Sequence, residues 1–449
     1  MTRTLFDKIW DAHCVETLPS GEDLIAIDRV FLHERTGSVA LESLLASGRK
    51  PIDPSRVFCT MDHIVSTEPG RGRNDARTPG GDVFITATRA AAGKTGINLV
   101  DVDSADQGIV HVISPELGIA QPGLTLVCPD SHTCSQGALG AAAWGIGSTD
   151  AEHAMATGTL RLKRPPQMRI HVDGRLAAGI TAKDLILHII GTLGADGAKR
   201  CAVEFCGSAV EALDVEARLT LCNMAVEFAA FTAIIAPDST TFDYLRGRRY
   251  APMGEAWMAA ETYWKTLFTD SDASFDYEHV FDAADIGHTV TWGTSPGQAG
   301  RLDGVSEASA YMDMAAGDRI EGLPIGGAFI GSCTNARMSD LRAAADVLRG
   351  RKVAVGVTAI CVPGSMAVRR EAEAEGIDKV FRDAGFEWGE AGCAFCFYAG
   401  GRTFAPGTRV VSSTNRNFEG RQGPGVRTHL ASPAVVAASA VAGKIAAPQ

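Results

Sequence analysis

The chain has 449 residues, of which 45% are hydrophobic and 21% are charged, a balance typical of globular proteins. This length exceeds the size at which one hydrophobic core stops growing, so we expect two or three domains. The formal net charge of −11 argues against a nucleic-acid partner, since domains that bind nucleic acids are usually basic.

The termini and the cysteines indicate the compartment. The N-terminal stretch MTRTLFDKIWDAHCVETL lacks the apolar segment of a secretory signal. The alanine-rich stretch at 432–449 is interrupted by Lys444 and predicts a helix rather than a membrane span. Eleven cysteines, an odd number without regular spacing, do not form a disulfide scaffold. We therefore expect a cytoplasmic protein without a membrane partner, whose cysteines are buried thiols or metal ligands.

Short β-rich runs alternate with helical runs from residue 123 onward. A helix is predicted at 181–194, where Thr181 and Asp184 have the spacing of a capping box. A small-residue helical region is predicted at 137–162, and irregular surface structure at 245–300. Strands are predicted at 123–128, 168–172, 202–207, 327–331, 352–362 and 408–414.

The alternation predicts an α/β fold, with parallel sheets built from right-handed crossovers. We expect a larger unit at 1–305, a linker at 306–323 and a smaller α/β domain at 324–449. Polar residues follow three of the predicted strands: Asp130 to His132, Cys333 and Asn415. Because ligands gather at the carboxyl ends of strands in open parallel sheets, these residues predict a functional site.

Three cysteines stand in two short motifs, GSCTN at 331–335 and AGCAFC at 391–396. A C-x-x-C turn directs the sulfurs of Cys393 and Cys396 to one point, and Cys333 is a candidate third ligand. Structural zinc would need a further histidine, and none lies near these cysteines in the sequence. An iron–sulfur cluster normally has four thiolates, so three would leave one iron open as a Lewis acid. The alternative is three unrelated buried cysteines.

These two motifs and STNRNFEGRQG at 413–423 resemble the signature sequences of the aconitase superfamily. Further stretches, among them CTMDHIVST, CPDSHT, ITAKDLILHIIG, TLCNMAVE and VTWGTSPGQ, extend the resemblance over essentially the whole chain. Within the superfamily, the chain is similar to the large subunits of bacterial 3-isopropylmalate dehydratases. The resemblance implies three-layer α/β domains: a larger unit of two intertwined subdomains and a smaller domain with the cluster cysteines. It also implies that the swivel domain of single-chain aconitases is a separate small subunit.

The implied reaction is removal of water from a small 2-hydroxy acid and its re-addition elsewhere. The implied cofactor is a [4Fe-4S] cluster with one iron not bound by cysteine. Hydroxide is a poor leaving group, and histidines held by carboxylates are suited to protonating it. His63 would donate that proton. The resemblance implies three catalytic pairs: Asp62 with His63, Asp130 with His111, and Glu204 with His132.

The resemblance also implies substrate contacts. Arginine suits a dicarboxylate because its planar guanidinium binds carboxylate with two parallel hydrogen bonds. Arg421 could instead pair with Glu419 at the surface. The implied substrate-binding residues are His33, Ser131, Asn415, Arg416 and Arg421.

Two stretches depart from the family pattern. Lys199 and Arg200 stand where a Gly-Thr-Gly-like sequence is usual, and Ala394 and Phe395 where Ser-Met is usual. They reflect either tolerated drift or a reshaped pocket, in which Lys199 or Arg200 meets an additional anionic group of the substrate.

The sequence thus predicts a dehydratase subunit that isomerises 2- and 3-isopropylmalate in leucine biosynthesis. Another substituted malate or a tricarboxylic 2-hydroxy acid is the first alternative. A non-catalytic iron–sulfur or RNA-binding regulator and a zinc-stabilised structural module are the others.

Overall fold

The computed structural model describes residues 2–448. The N-terminal part contains eight strands: β1 (Cys14–Thr17), β2 (Asp23–Ala26), β3 (Arg29–His33), β4 (Val57–Thr60), β5 (Asn98–Val100), β6 (Thr125–Cys128), β7 (Ala142–Gly145) and β8 (Thr159–Leu162). Its helices are α1 (Leu5–His13), α2 (Glu34–Ala46), α3 (Asp82–Thr95), α4 (Val110–Glu116) and α5 (Ser148–Thr157). The main sheet is parallel, in the order β5-β4-β3-β6-β7, and β1-β2-β8 form a small antiparallel sheet.

A second parallel sheet follows, in the order β11-β10-β9-β12. Its strands are β9 (Gln167–Asp173), β10 (Ala202–Cys206), β11 (Thr232–Ile234) and β12 (Tyr277–Asp282). Its helices are α6 (Ala182–Leu193), α7 (Ser208–Glu211), α8 (Val215–Asn223), α9 (Ser239–Leu245) and α10 (Glu255–Trp264). A hairpin of β13 (Thr289–Thr291) and β14 (Ala299–Arg301) comes next.

The third sheet is also parallel, in the order β17-β16-β15-β18-β19. Its strands are β15 (Gly327–Ile330), β16 (Thr358–Cys361), β17 (Glu387–Trp388), β18 (Arg409–Ser412) and β19 (Arg427–Leu430). Its helices are α11 (Met338–Leu348), α12 (Met366–Ala374), α13 (Ile377–Ala384) and α14 (Pro433–Ala442). The segment at 306–323 leads into this sheet, and Met312 and Ile320 are buried in its core.

The α/β architecture and the predicted strands before the polar residues are confirmed. Helix α6 begins after Thr181, which forms the expected capping box with Asp184. The predicted strand at 352–362 is shorter and covers only Thr358–Cys361. No helix within residues 2–448 combines the length and apolar character needed to cross a membrane.

Two predictions of local structure are wrong. The region at 137–162 is not one helical stretch, because it contains strand β7 between two short helical segments. Gly140 ends the first segment with φ 78°, and a side chain at Gly137 would overlap the carbonyl oxygen of Ala233. The region at 245–300 is not irregular either, since it holds α10, β12 and the hairpin. Trp257 and Trp264 are core residues there, with ring centroids 5.2 Å apart.

Candidate active site

A cavity of about 200 Å³ lies where the carboxyl ends of β3, β6, β15 and β18 meet. It is lined by polar side chains from the first and third sheets, as expected for the ligand edge of parallel strands. The lining residues named in the sequence analysis are His33, His63, His111, Asp130, Ser131, His132, Cys333, Cys393, Cys396, Asn415, Arg416 and Arg421.

Asp62 and His63 form the first acid–base pair. They follow β4 in a loop, so that adjacent side chains can meet instead of facing opposite ways as on a strand. The distance from Asp62 Oδ1 to His63 Nδ1 is 2.6 Å, and Asp62 Oδ2 accepts from the backbone N–H of Val110 at 2.9 Å. Burial opposes the charge on His63, but Asp62 and Asp130 raise the pKa of its imidazole well above the usual value. His63 is therefore protonated at neutral pH and able to donate a proton.

Glu34 holds the loop that carries this pair. Its side chain is fully buried, and its carboxylate accepts backbone N–H bonds from Asp62 at 3.0 Å, Val65 at 3.3 Å and Ile64. The role of Glu34 was missed in the sequence, although it stands directly after His33 in the HER stretch. It fixes the position of His63 without lining the cavity itself.

Asp130 lies among three histidines. Its Oδ1 is 2.8 Å from His111 Nε2 and accepts the backbone N–H of His132 at 2.8 Å, while its Oδ2 is 3.3 Å from His63 Nε2. Burial would raise the pKa of the Asp130 carboxyl, but these neighbours hold it well below its usual range. The structure thus brings Asp130 and His111 together as expected, and joins His63 to the same carboxylate.

The expected pair of Glu204 with His132 is wrong. Glu204 lies on β10 of the second sheet, where it accepts a hydrogen bond from the Thr269 hydroxyl at 2.6 Å. The carboxylate beside His132 is that of Glu227, with 2.6 Å between His132 Nε2 and Oε1. Glu227 lies on the helical turn Met224–Phe228 after α8. Glu227 ends the motif TLCNMAVE, so the sequence carried a signal for this residue although its role was missed.

Glu227 also binds Arg416, whose Nε lies 2.8 Å from Oε1 and 3.0 Å from Oε2. Burial opposes ionisation of Glu227, but His132 and Arg416 lower the pKa of its carboxyl below the usual value. Arg421 differs from Arg416, because its Nε has no hydrogen-bond partner among residues 2–448. Burial and the neighbouring Arg416 lower the pKa of Arg421 to about 10, so it remains a cation.

Five cavity residues were missed in the sequence: Arg35, Thr36, Ile109, Pro129 and Phe397. The guanidinium carbon of Arg35 lies 4.6 Å from the centroid of the Phe397 ring, and that of Arg421 lies 5.8 Å from it. Arg35 and Arg421 thus both pack on this ring, and neither forms an ion pair with a carboxylate among residues 2–448, so both can meet an anionic ligand.

The three cysteines reach the cavity from two loops of the third sheet and are all at least 96% buried. The sulfur atoms of Cys393 and Cys396 are in contact, as expected for a C-x-x-C turn, and their Cα atoms lie 5.6 Å apart. Cys333 Sγ accepts hydrogen bonds from Asn223 Nδ2 at 3.2 Å and Asn415 Nδ2 at 3.4 Å. Amide donors directed at a sulfur suit a thiolate that ligates iron.

Comparison with known proteins shows to which family the chain belongs. The Aconitase family (aconitate hydratase) matches residues 7–443. The chain belongs to the aconitase family. It is 50% identical over 460 aligned residues to the protein named 3-isopropylmalate dehydratase large subunit 1 of Bradyrhizobium diazoefficiens, covering 99% of this chain and 96% of that one. The crystal structure of Thermococcus kodakaraensis aconitase X in its holo-form matches with a TM-score of 0.47 at 14% identity, covering 88% of this chain and 84% of that one.

Membership makes the chain a hydro-lyase and implies a [4Fe-4S] cluster. The donor set fits such a cluster, because three buried cysteines line one cavity and no histidine or carboxylate competes within the Cys motifs. Within residues 2–448, a second possible metal-binding arrangement is the His33–Glu34–Asp62–His63 group, whose ligand atoms lie within 4.8 Å of one another. Its carboxylates are already occupied by backbone N–H groups and by His63, so it fits a hydrogen-bonded network better.

The aconitase-family cavity also contains the expected His33 and Ser131. The His33 ring stacks on His63 with centroids 3.9 Å apart, and burial together with the nearby His63 lowers the pKa of His33 to about 4. His33 is therefore neutral beside a protonated His63. Ser131 Oγ lies 3.3 Å from His132 Nδ1.

The residues that depart from the family pattern do not line this cavity. The Lys199 ammonium lies 4.1 Å from the centroid of the Tyr277 ring. Arg200 lines a neighbouring cavity, which shares Asp130 and Ser131 with the active site. Ala394 and Phe395 line a third cavity behind the cysteine loop. The expectation that Lys199 or Arg200 meets an additional anionic group of the substrate therefore stays a prediction.

Proposed function

We propose that this chain is the catalytic large subunit of a 3-isopropylmalate dehydratase, which interconverts 2- and 3-isopropylmalate by dehydration and rehydration. The observation that carries the proposal is the meeting of three cysteines, three carboxylate-held histidines and two free arginines in one cavity. The 50% identity to a protein named for this activity supports the choice of substrate.

Cys333, Cys393 and Cys396, in their thiolate forms, are the residues that would hold the cluster. When bound, a cluster with three cysteine ligands supplies one iron with a free coordination position, which acts as a Lewis acid toward oxygen. The side chains around the cluster then transfer protons and bind the substrate.

His63 donates its proton to the departing hydroxyl and takes it back in the reverse direction. Asp62 bonds Nδ1 and keeps the imidazole charged, while the neutral His33 stacked on it adds no competing charge. His111 and His132 are oriented by Asp130 and Glu227, and they hold the released water for its re-addition. A group of the small subunit removes the carbon-bound proton.

Arg421 and Arg416 bind one substrate carboxylate. Arg416 is partly engaged by Glu227, so Arg421 is the freer donor of bidentate hydrogen bonds. Arg35 also packs on Phe397 and lines the cavity, so it is available for a second carboxylate. Ile109, Pro129 and Phe397 are the apolar members of the lining, and they would face an alkyl substituent.

A tricarboxylic 2-hydroxy acid is the second candidate substrate. Arg35 favours it, because no carboxylate among residues 2–448 forms an ion pair with this guanidinium, which packs on the Phe397 ring. With isopropylmalate, Arg35 would instead serve one of the two malate carboxylates.

The activity test is reconstitution of the chain under anaerobic conditions with iron, sulfide and the small subunit of its own organism. We expect turnover of 3-isopropylmalate with both subunits and little or none with either alone. Turnover of a tricarboxylate in preference to isopropylmalate would select the second candidate. Full activity of this chain alone would contradict the two-subunit assignment.

We place the enzyme in the cytoplasm, where the cluster cysteines remain reduced.

The cofactor test compares two buried cysteines of the same sheet. Cys333→Ala should lose the iron, the sulfide and the visible absorbance of the cluster. Cys361→Ala, at the end of β16 and outside the cavity lining, should keep them. Stoichiometric zinc in the wild-type chain in place of iron and sulfide would exclude the cluster.

A further inference from the structure

Lys183 is a fully buried cation that connects the second sheet unit to the cluster loops. It lies in the first turn of α6, and its side chain is 0% exposed. Its ammonium donates hydrogen bonds to the carbonyl oxygens of Ser413 at 2.8 Å and Thr414 at 2.6 Å, and to Asn335 Oδ1 at 3.2 Å. Only a protonated amine has three N–H groups to make these bonds.

The acceptors of Lys183 belong to the two loops that carry the cavity residues. Ser413 and Thr414 directly precede Asn415, and Asn335 is two residues beyond Cys333. Lys183 therefore joins the loop after β15 to the loop after β18. Removing the ammonium would free both loops at the point where Cys333 and Asn415 meet.

The charge of Lys183 has no direct counter-ion. Within residues 2–448, its three partners are neutral oxygens, and no carboxylate oxygen lies within 4.0 Å of its ammonium. Asp340 is reached only through Asn335, whose Nδ2 donates to Asp340 Oδ1 at 2.9 Å. Burial lowers the pKa of Lys183 to about 7, with Asp340, Cys333, Asp184 and Glu227 opposing the shift from a distance.

A buried ammonium without a counter-ion is destabilising, so a protein retains one where it meets a negative charge. Besides Asp340, the negative charge near Lys183 would come from the thiolate centre at Cys333, because cysteine ligands lose their protons when they bind iron. Three thiolates on an iron–sulfur cluster carry a net negative charge in this dry region, and potentials of such clusters depend on neighbouring charges and hydrogen bonds.

We propose that Lys183 is a positioning residue and the counter-charge of the iron–sulfur centre. Its ammonium holds the two ligand-bearing loops in register and offsets the negative charge of the bound cluster. This inference rests on the cluster assigned under the proposed function. It predicts that the cluster, more than the fold, depends on the positive charge at this position.

The test compares Lys183→Met with Lys183→Gln after anaerobic reconstitution with iron and sulfide. Methionine removes the charge and the hydrogen bonds, whereas glutamine keeps N–H donors without the charge. We expect both variants to lower the midpoint potential of the cluster and to lose iron to a chelator about 10- to 100-fold faster than the wild type. The cluster-free variants should keep the circular dichroism spectrum of the cluster-free wild type. Lys94→Met, an exposed lysine on α3, is the control and should change neither property.

Each outcome separates the alternatives. If the Lys183→Gln variant has the midpoint potential and the iron retention of the wild type, Lys183 acts only through its hydrogen bonds. The role as a counter-charge is then refuted. If neither variant folds, Lys183→Arg decides, because it keeps the charge and should keep the wild-type potential. A lowered potential in the arginine variant would also refute the inference. If the wild-type chain itself binds no cluster, the proposed function fails first, and this inference fails with it.

Discussion

Glu227 binds His132 and Arg416 with the same carboxylate oxygen, Oε1, at 2.6 Å and 2.8 Å. Three segments far apart in the chain thus meet at one charge: the turn after β6, the turn after α8 and the loop after β18. The carboxylate orients a histidine of the acid–base set and an arginine of the substrate-binding set together.

Glu227→Gln should lower kcat/KM by about 10²- to 10⁴-fold, the usual range for loss of acid–base assistance. The amide keeps the shape of the side chain but not the charge that holds His132 and Arg416. Steady-state kinetics of the reconstituted enzyme measure the effect. Glu204→Gln is the matched control and should stay within about twofold of the wild type, since Glu204 lies outside the cavity. Equal damage from both substitutions would contradict the reassignment of the His132 partner.

His63→Asn should reduce kcat by about 10²- to 10⁴-fold while the iron content remains that of the wild type. The exposed His153→Asn is the control and should leave kcat unchanged. Loss of iron from the His63 variant would show that His63 belongs to the cluster site rather than to proton transfer.

Asp62→Asn should move the alkaline limb of the kcat profile to lower pH. Burial lowers the pKa of His63 and Asp62 raises it, so removal of the carboxylate leaves less of the protonated form as the pH rises. Kinetics measured between pH 6 and pH 9 at saturating substrate report this shift, in the range where imidazole titrates. An alkaline limb that does not move would mean that His63 is not the acid.

Arg35→Gln should raise KM for dicarboxylate substrates about tenfold or more with little change in kcat, because a charged hydrogen bond contributes about 1.5–3 kcal/mol. Arg49→Gln, an exposed arginine beyond the end of α2, is the control. A larger penalty on a tricarboxylate than on isopropylmalate would place a third anionic group at Arg35. An unchanged KM for every substrate would remove Arg35 from the binding site.

Glu204 should make the stability of the chain depend on pH. Burial raises the pKa of its carboxyl to about 7 from the ordinary 4.5. Between these values the folded chain keeps a proton that the unfolded chain has released, so the free energy of unfolding falls as pH rises through this window. The contribution of Glu204 to the free energy of unfolding is most favourable below pH 4.5. Above pH 7 the free energy of unfolding is lower by up to about 3 kcal/mol.

Glu204→Gln cannot ionise and should lose this dependence. Urea unfolding of the cluster-free chain at pH 5, 6, 7 and 8 should show the variant gaining stability relative to the wild type as pH rises. A difference between the two proteins that stays constant with pH would contradict the prediction.

Sequence reasoning succeeded where a property depends on neighbours in the chain. The alternation of strands and helices, the capping box at Thr181 and the polar residues after β6, β15 and β18 are local patterns. The three cysteines stand in two short motifs, so their common chemistry could be recognised before their distance was known. The aconitase-family assignment depends on such motifs taken together.

Tertiary structure decided what depends on residues far apart in the sequence. Glu204 and Glu227 are both glutamates after apolar runs, and only the packing of the turn after α8 against the turn after β6 selects Glu227 as the partner of His132. Only the packing likewise places Arg35 beside Phe397 and the ammonium of Lys183 against the loops after β15 and β18. The amino-acid sequence by itself determined which chemical groups the protein carries and at which strand ends they stand, because these follow from local patterns. Only the fold decided which of these groups are hydrogen-bonded to one another, which bind the same substrate and which surround the same buried charge. The reason is that hydrogen bonds and ion pairs act over a few ångströms of space, whatever the separation along the chain.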